Sequence, residues 1–187
     1  MRRFVSVSCL LCLGFFAPTE ARHPVAEMAV LQQLLRDAWE HNGYEDVIRL
    51  EERCPGAFPV FRLLAEKGDV DLVVLAGNSG RTLALGPGYL GTSALPGKRG
   101  NTVIAGRRDT HFRFLSGLAV DDSIVIETLS GDKHLYRVIG LDVVDARRSS
   151  VVLDTPRSML TLVTGYPFDP AEPGDRQRFV VTAKMLF

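Results

Sequence analysis

Cysteine is scarce in this chain. Of its three cysteines, Cys9 and Cys12 fall in an N-terminal apolar run and Cys54 stands alone in the remainder. A lone cysteine cannot close an internal disulfide. At 187 residues the fold must therefore rest on its own core, and the chain is long enough to build one. Net charge is also missing, with 22 basic residues against 22 acidic, so no whole-molecule field draws the protein to nucleic acid. No apolar run reaches the roughly 20 residues that cross a bilayer comfortably. There is no internal repeat and no low-complexity tract. The four histidines are scattered and no Asp/Asn-rich loop ends in Glu, so neither a metal nor another cofactor is expected.

The N-terminus is what an export signal looks like. Met1-Arg2-Arg3 is a positive start, Phe4 to Ala17 is apolar, and Thr19-Glu20-Ala21 is an imperfect cleavage site. A cleaved signal peptide over residues 1–21 is the first expectation and an uncleaved signal-anchor the second. Both place the body of the protein outside the cytoplasm. Cys54 has Arg53 and Pro55 beside it and no histidine near in sequence, so it is expected to be a small buried hydrophobe and not a nucleophile.

From Pro24 to His41, apolar residues recur at three- and four-residue steps (Val25, Met28, Leu31, Leu35, Ala38, Trp39), and Asn42-Gly43 follows. This spacing predicts an amphipathic helix with a clear stop. Residues 22–55 are expected to hold this helix and a linker, and residues 56–187 a separate β domain. Val70–Ala76, Thr82–Leu85, Thr102–Ala105, Ser123–Leu129, His134–Val144, Leu160–Thr164 and Phe179–Leu186 read as short strands, with glycine-rich turns between them. The pattern predicts a mainly-β sandwich or closed barrel, and no βαβ alternation supports a parallel sheet. Asp121-Asp122 and Asp142 to Asp145 read as solvated turns.

Two segments carry more. Gly100 to Leu115 reads GNTVIAGRRDTHFRFL and Leu160 to Phe168 reads LTLVTGYPF. Together with Ala38-Trp39, the run Leu83 to Gly88, Pro96-Gly97 and the terminal RFVVTA, they resemble the sortases, cysteine transpeptidases of bacterial envelopes, and those of Gram-negative bacteria most. Several motifs in the right order make the resemblance specific; TLVT alone would mean nothing. It implies an eight-stranded β-barrel with an N-terminal helix. It implies a reaction in which a thiolate attacks a threonine carbonyl in a C-terminal sorting signal and an amine resolves the thioacyl intermediate. It implies an exported protein, periplasmic or held on the inner membrane through its N-terminus. The partner would be a sorting-signal peptide of a surface protein, not nucleic acid.

The resemblance also assigns roles to positions. The nucleophilic cysteine falls at Gly165, the general acid/base histidine at Arg107, and the oxyanion arginine at Arg178. Glycine has no side chain to acylate. Arginine stays protonated and offers no acceptor, so it cannot take a proton from a thiol. Losing one member of a catalytic unit removes most of its rate, and losing a second adds little. The chain therefore reads as a non-catalytic member that can still hold a peptide. The alternative is an active transpeptidase, by way of an unrecognised nucleophile or as the parent of an inactivated variant. His111 corresponds to the motif's second histidine and is expected only to position Phe112. Thr164 should point away from the site, Ser149 and Ser150 should face solvent, Asp109 is a candidate to neutralise Arg108, and Tyr89 reads as loop variation.

Overall fold

A computed structural model of the chain describes residues 24–41, 56–169 and 176–186. The export segment with Cys9 and Cys12, and the lone Cys54, lie outside the described residues. The first element is helix α1, Pro24–His41. Leu35 is fully buried from it, against Ala57, Val73 and Leu75, with Leu31 and Trp39 alongside. A polar clip supplements this packing: the Gln32 side chain accepts from the Val73 backbone N–H at 2.9 Å and donates to the Val73 carbonyl at 3.4 Å. Arg36 Nη1 donates to the Asp71 carbonyl at 2.9 Å.

The strands are β1 (Pro59–Ala65), β2 (Val70–Ala76), β3 (Gly88–Tyr89), β4 (Gly100–Ala105), β5 (Ser123–Thr128), β6 (Lys133–Asp145), β7 (Ser158–Tyr166) and β8 (Gln177–Met185). They close a barrel in the order β1-β2-β3-β4-β7-β8-β6-β5. Mainly-β composition, the closed eight-stranded barrel and the N-terminal helix are as the sequence leads one to expect. Most pairings are antiparallel, but β2 with β3 and β4 with β7 are parallel. That mixture could not be read from the order of elements, because both parallel pairs are joined by chain segments without a long crossover helix.

The interior is filled by alternate residues of each strand. Leu63, Ile104, Ile124, Ile126, Tyr136, Leu160, Leu162 and Val181 are fully buried there. The connection from β4 to β5 adds Phe112 and Leu115, which are buried in the same core; Leu115 comes from the 3-10 turn Arg113–Gly117. Gly106 is the residue that lets Phe112 in, since a Cβ there would run into the aromatic ring.

Three expectations need correction. Thr82–Leu85 is not a strand but part of the short helix α2, Gly80–Leu85. Its start is set by Ser79, whose Oγ accepts from the Thr82 N–H at 3.2 Å, a cap that outweighs the β-branched Thr82. Tyr89 is no loop variation: it is buried, donates to the Ser93 carbonyl at 2.6 Å and meets the Phe61 ring edge-on. Asp142 and Asp145 lie in strand β6 and not in a turn.

Candidate functional site

Alternation gives β7 two faces. Leu160, Leu162 and Thr164 turn into the barrel, and Thr164 Oγ1 donates to the Gly106 carbonyl at 2.8 Å. Met159, Thr161, Val163 and Gly165 therefore turn outward. Their neighbours on β8 in the antiparallel register are Thr182 for Thr161, Val180 for Val163 and Arg178 for Gly165. Met159, Thr161 and Val163 of β7, with Arg178, Val180 and Thr182 of β8, floor a groove of about 440 Å³. Val144 of β6 and the connection from β6 to β7 (Ser149, Ser150, Val151, Val152, Thr155) form its wall. The wall is tied to the floor through Asn101, whose Nδ2 donates to the Val152 carbonyl at 2.9 Å while its Oδ1 accepts from Thr161 Oγ1 at 3.0 Å.

The groove is mostly apolar. Arg178 is the one charged residue that lines it, and no histidine, aspartate or glutamate does so among the described residues. Ser149 and Ser150 are exposed, as expected, but they belong to this wall and not to an unrelated surface loop.

Gly165 lies beside the groove, as the strand partner of its lining residue Arg178. Arg178 sits directly opposite it, and Arg178 Nη1 donates to the Gln177 carbonyl at 2.9 Å. Arg108 lies over Gly165. A Cβ at position 165 would come within 3.2 Å of Arg108 Cδ and 3.7 Å of its Cγ. Arg108 Nη1 donates at 2.6 Å to the carbonyl of Pro167, which follows a cis Tyr166–Pro167 bond. Beside them Tyr166, Phe168 and Phe179 form an aromatic cluster with ring centroids 5.1 to 6.4 Å apart.

Arg107 does not line the groove. It forms a two-pronged contact with Asp109, Nε to Oδ1 at 3.1 Å and Nη2 to Oδ2 at 2.8 Å. This corrects the expected Asp109–Arg108 pairing. The contact holds the Asp109 carboxyl below the usual carboxylate range and raises the Arg107 guanidinium further. Half of the Arg107 side chain is exposed, so the pair adds little stability.

His111 is 7 % exposed, and neither ring nitrogen has a hydrogen-bond partner. It lies along a crevice between α1, the start of β2 and the connection after β4, near Arg36, Asp69, Asp71, Asp109 and Arg113. Burial pushes its imidazole down to about 4, with the Arg107 charge adding to the shift and Asp109 opposing it. It is a neutral, enclosed ring and does not line the groove.

The structure thus brings Gly165 and Arg178 together, sets Arg107 to one side, and adds Arg108. The period-2 pattern of β7 and β8 carried the signal for the groove: the outward positions Thr161, Val163, Val180 and Thr182 are apolar or β-branched too, more than a solvated face requires. Nothing in the sequence marked Arg108, because its partner is a backbone carbonyl 59 residues away.

Known proteins agree with this architecture. The sortase-domain family model matches residues 63–186. The chain is 30 % identical over 103 residues to sortase D of Bacillus subtilis (strain 168), across 54 % of this chain and 52 % of that one, so it matches about half the length of that relative. Its fold superposes on a Clostridium perfringens sortase D5 transpeptidase with a TM-score of 0.65 at 23 % identity, covering 87 % of this chain and 99 % of the other. Sortase E1 of Streptomyces coelicolor, whose structure holds a tripeptide in the active site, gives 0.61 at 27 % identity, covering 72 % and 91 %. The fold is that of a sortase barrel. The chain belongs to the sortase family.

Proposed function

We propose that this protein is a non-catalytic sortase of the cell envelope that binds a sorting-signal peptide without cutting it. The observation that carries this reading is the groove beside Gly165, whose cross-strand partner Arg178 lines it. It has the apolar, partly walled form of a ligand site, and the Gly165 position next to it supplies neither a nucleophile nor a base. Gly165 offers no atom to acylate. Arg107, fixed on Asp109 and permanently protonated, cannot accept a proton. Thr164 points inward and is already bonded, and His111 is enclosed elsewhere. Arg178, the cross-strand partner of Gly165, is read as the counterpart of the family's oxyanion arginine. The tripeptide in the Streptomyces coelicolor relative supports peptide as the ligand class.

The test is hydroxylamine-dependent cleavage of a fluorogenic sorting peptide, run beside a binding titration. Saturable binding without turnover is expected. Turnover by the unaltered chain would establish the active-transpeptidase alternative instead, and no binding at millimolar peptide would remove the reading altogether. The double change Arg107→His with Gly165→Cys is expected to create measurable cleavage, with the flexible Arg108 stem giving way by a few tenths of an ångström. The N-terminal run Met1 to Ala17 supports an exported protein, in the periplasm or anchored on the inner membrane facing it, as in a Gram-negative sortase. Recovery of the protein in the cytosolic fraction after cell fractionation would reject that location.

A further inference from the structure

The wall of the groove hangs on one residue. Between the end of β6 and the start of β7, residues 149–156 form no helix or strand. Burial does little to fix them, since Val151 and Val152 are 40 % and 65 % exposed. Among the described residues, this segment makes two hydrogen bonds to the barrel, and both come from Asn101 of β4. The Leu153 carbonyl accepts from the Asn101 backbone N–H at 2.9 Å, a bond that most residues could give. The Val152 carbonyl accepts from Asn101 Nδ2 at 2.9 Å, a bond that needs the side-chain amide.

That amide is itself held. Asn101 is nearly buried, and its Oδ1 accepts from Thr161 Oγ1 at 3.0 Å. Val152 offers only a carbonyl, so Nδ2 must face the wall, and the Thr161 hydroxyl satisfies the oxygen that remains. Thr161 is buried in the groove floor, so the relay Thr161–Asn101–Val152 ties floor to wall. The Asn101 carbonyl accepts from the Ala94 N–H at 3.0 Å, which fixes the backbone from the other side.

We propose that Asn101, oriented by Thr161, is the positioning residue of the groove: it latches the wall at Val152 before a ligand arrives and thereby restricts the groove to chains with aliphatic side chains. This rests on the peptide-binding reading above and adds what sets its selectivity. A wall left loose would have to be ordered at every binding event, and that lost entropy would weaken binding. It would also repack around whatever entered, as loop-built sites that accept many partners do. A latched wall does neither. The side chains facing the groove are stiff as well: Val144, Val151, Val152, Val163 and Val180 line it, and each is branched at Cβ. Neither side therefore moves aside for an aromatic ring.

The test compares the full chain with Asn101→Leu, Thr161→Val and Thr161→Ser. Leucine has nearly the size of asparagine and keeps the backbone bond to Leu153. Valine keeps the shape of threonine and loses only the hydroxyl, whereas serine keeps the hydroxyl. Backbone nitrogen-15 order parameters are read first, without ligand. Residues 151–154 are expected above about 0.8 in the unaltered chain and in Thr161→Ser, and below about 0.6 in Asn101→Leu, with Thr161→Val between, while β6 and β8 stay rigid in all four. Two N-terminally labelled hexapeptide mixtures are then titrated by fluorescence polarisation. Both carry threonine at the fourth position and serine at the last two; the first three positions are Ala, Val and Leu in one mixture and Phe, Tyr and Trp in the other. The unaltered chain is expected to prefer the aliphatic mixture by about tenfold or more, and Asn101→Leu by less than about threefold. A merely structural asparagine would change stability and leave that ratio alone. Thr161→Val carries the same comparison if Asn101→Leu does not fold. A wall that stays ordered in the variants, no aliphatic preference in the unaltered chain, or a preference that survives a loosened wall would overturn the proposal and leave the groove reading standing. No binding of either mixture at millimolar concentration would overturn both.

Discussion

Strand β7 turns Leu160, Leu162 and Thr164 inward and Met159, Thr161, Val163 and Gly165 outward, and the two rows meet different surroundings although both are largely apolar or β-branched. The inward row is sealed: Leu160 and Leu162 are fully buried, and Thr164 is 2 % exposed with its hydroxyl bonded. The outward row is less closed: Met159 and Val163 are half-buried, and with the buried Thr161 they line an open groove. Burial accounts completely for the inner composition. It does not account for the outer one, where a solvated antiparallel face would carry charged and polar side chains. An apolar strand face left partly uncovered is the kind of surface that binding sites use.

Leu162→Ala should break the inner row most clearly. Removing a fully buried leucine side chain from a packed barrel removes its transfer energy and leaves a cavity, together about 2–5 kcal/mol. Chemical denaturation should show a loss of that size, a large share of the stability of a domain this small. Val163→Ser, one position along on the outer row, should cost about 1 kcal/mol or less by the same measurement, while weakening peptide binding severalfold. If the two substitutions destabilise equally, the faces are not different in kind and the groove is simply surface.

His111 extends the comparison to acid. In the unfolded chain its imidazole titrates near 6.5, and in the folded protein at about 4. Between those values the unfolded chain holds the extra proton, so acidification favours unfolding. Above about pH 6.5 the effect is absent, and below about pH 4 it has reached its full size, up to about 3 kcal/mol. Arg107 and Asp109 face the ring from its own loop, and Arg36, Asp69, Asp71 and Arg113 line the same crevice. Stability curves from pH 7 to 4 should fall steeply in the wild-type chain and more gently in His111→Phe. Peptide affinity, read over the same range above the unfolding pH, should be nearly flat, because His111 does not line the groove. An affinity that tracks the His111 titration would mean that the crevice and the groove are coupled.

Much of this was legible in the sequence, and the limits have physical causes. Strand alternation placed β2 and β4 to β8 to within a few residues, and by itself it puts Thr164 and Gly165 on opposite faces. The motif around Gly165 led to the strand that lines the groove. Contacts set by loops were not legible. Asp109 takes Arg107 and not Arg108 because Arg108 reaches across to Pro167, and no local rule ranks an ion pair two residues apart against a long-range carbonyl. Thr82–Leu85 is helical through the Ser79 cap, a choice that composition leaves open for six residues. A tyrosine between glycine-rich turns gives no sign of burial, and only the fold brings the Tyr89 ring against Phe61.

Gly165→Ala should have the smallest effect and is the finest probe of the surface beside the groove. A methyl group added there contacts Arg108 Cδ at 3.2 Å, tighter than an ordinary contact, but the obstacle is a flexible stem and not backbone. Alanine also narrows the unfolded ensemble relative to glycine, which favours folding by about 0.4–1 kcal/mol where the backbone accepts it. The two tendencies oppose each other, so stability should change by less than about 0.5 kcal/mol. If the Arg108 stem is held firmly by its bond to Pro167, the methyl group should instead be felt in binding, with a sorting-signal peptide losing affinity while the core of β7 is untouched. A variant destabilised by as much as Leu162→Ala would mean that the glycine is structural, and that the outer row is as tightly determined as the inner one.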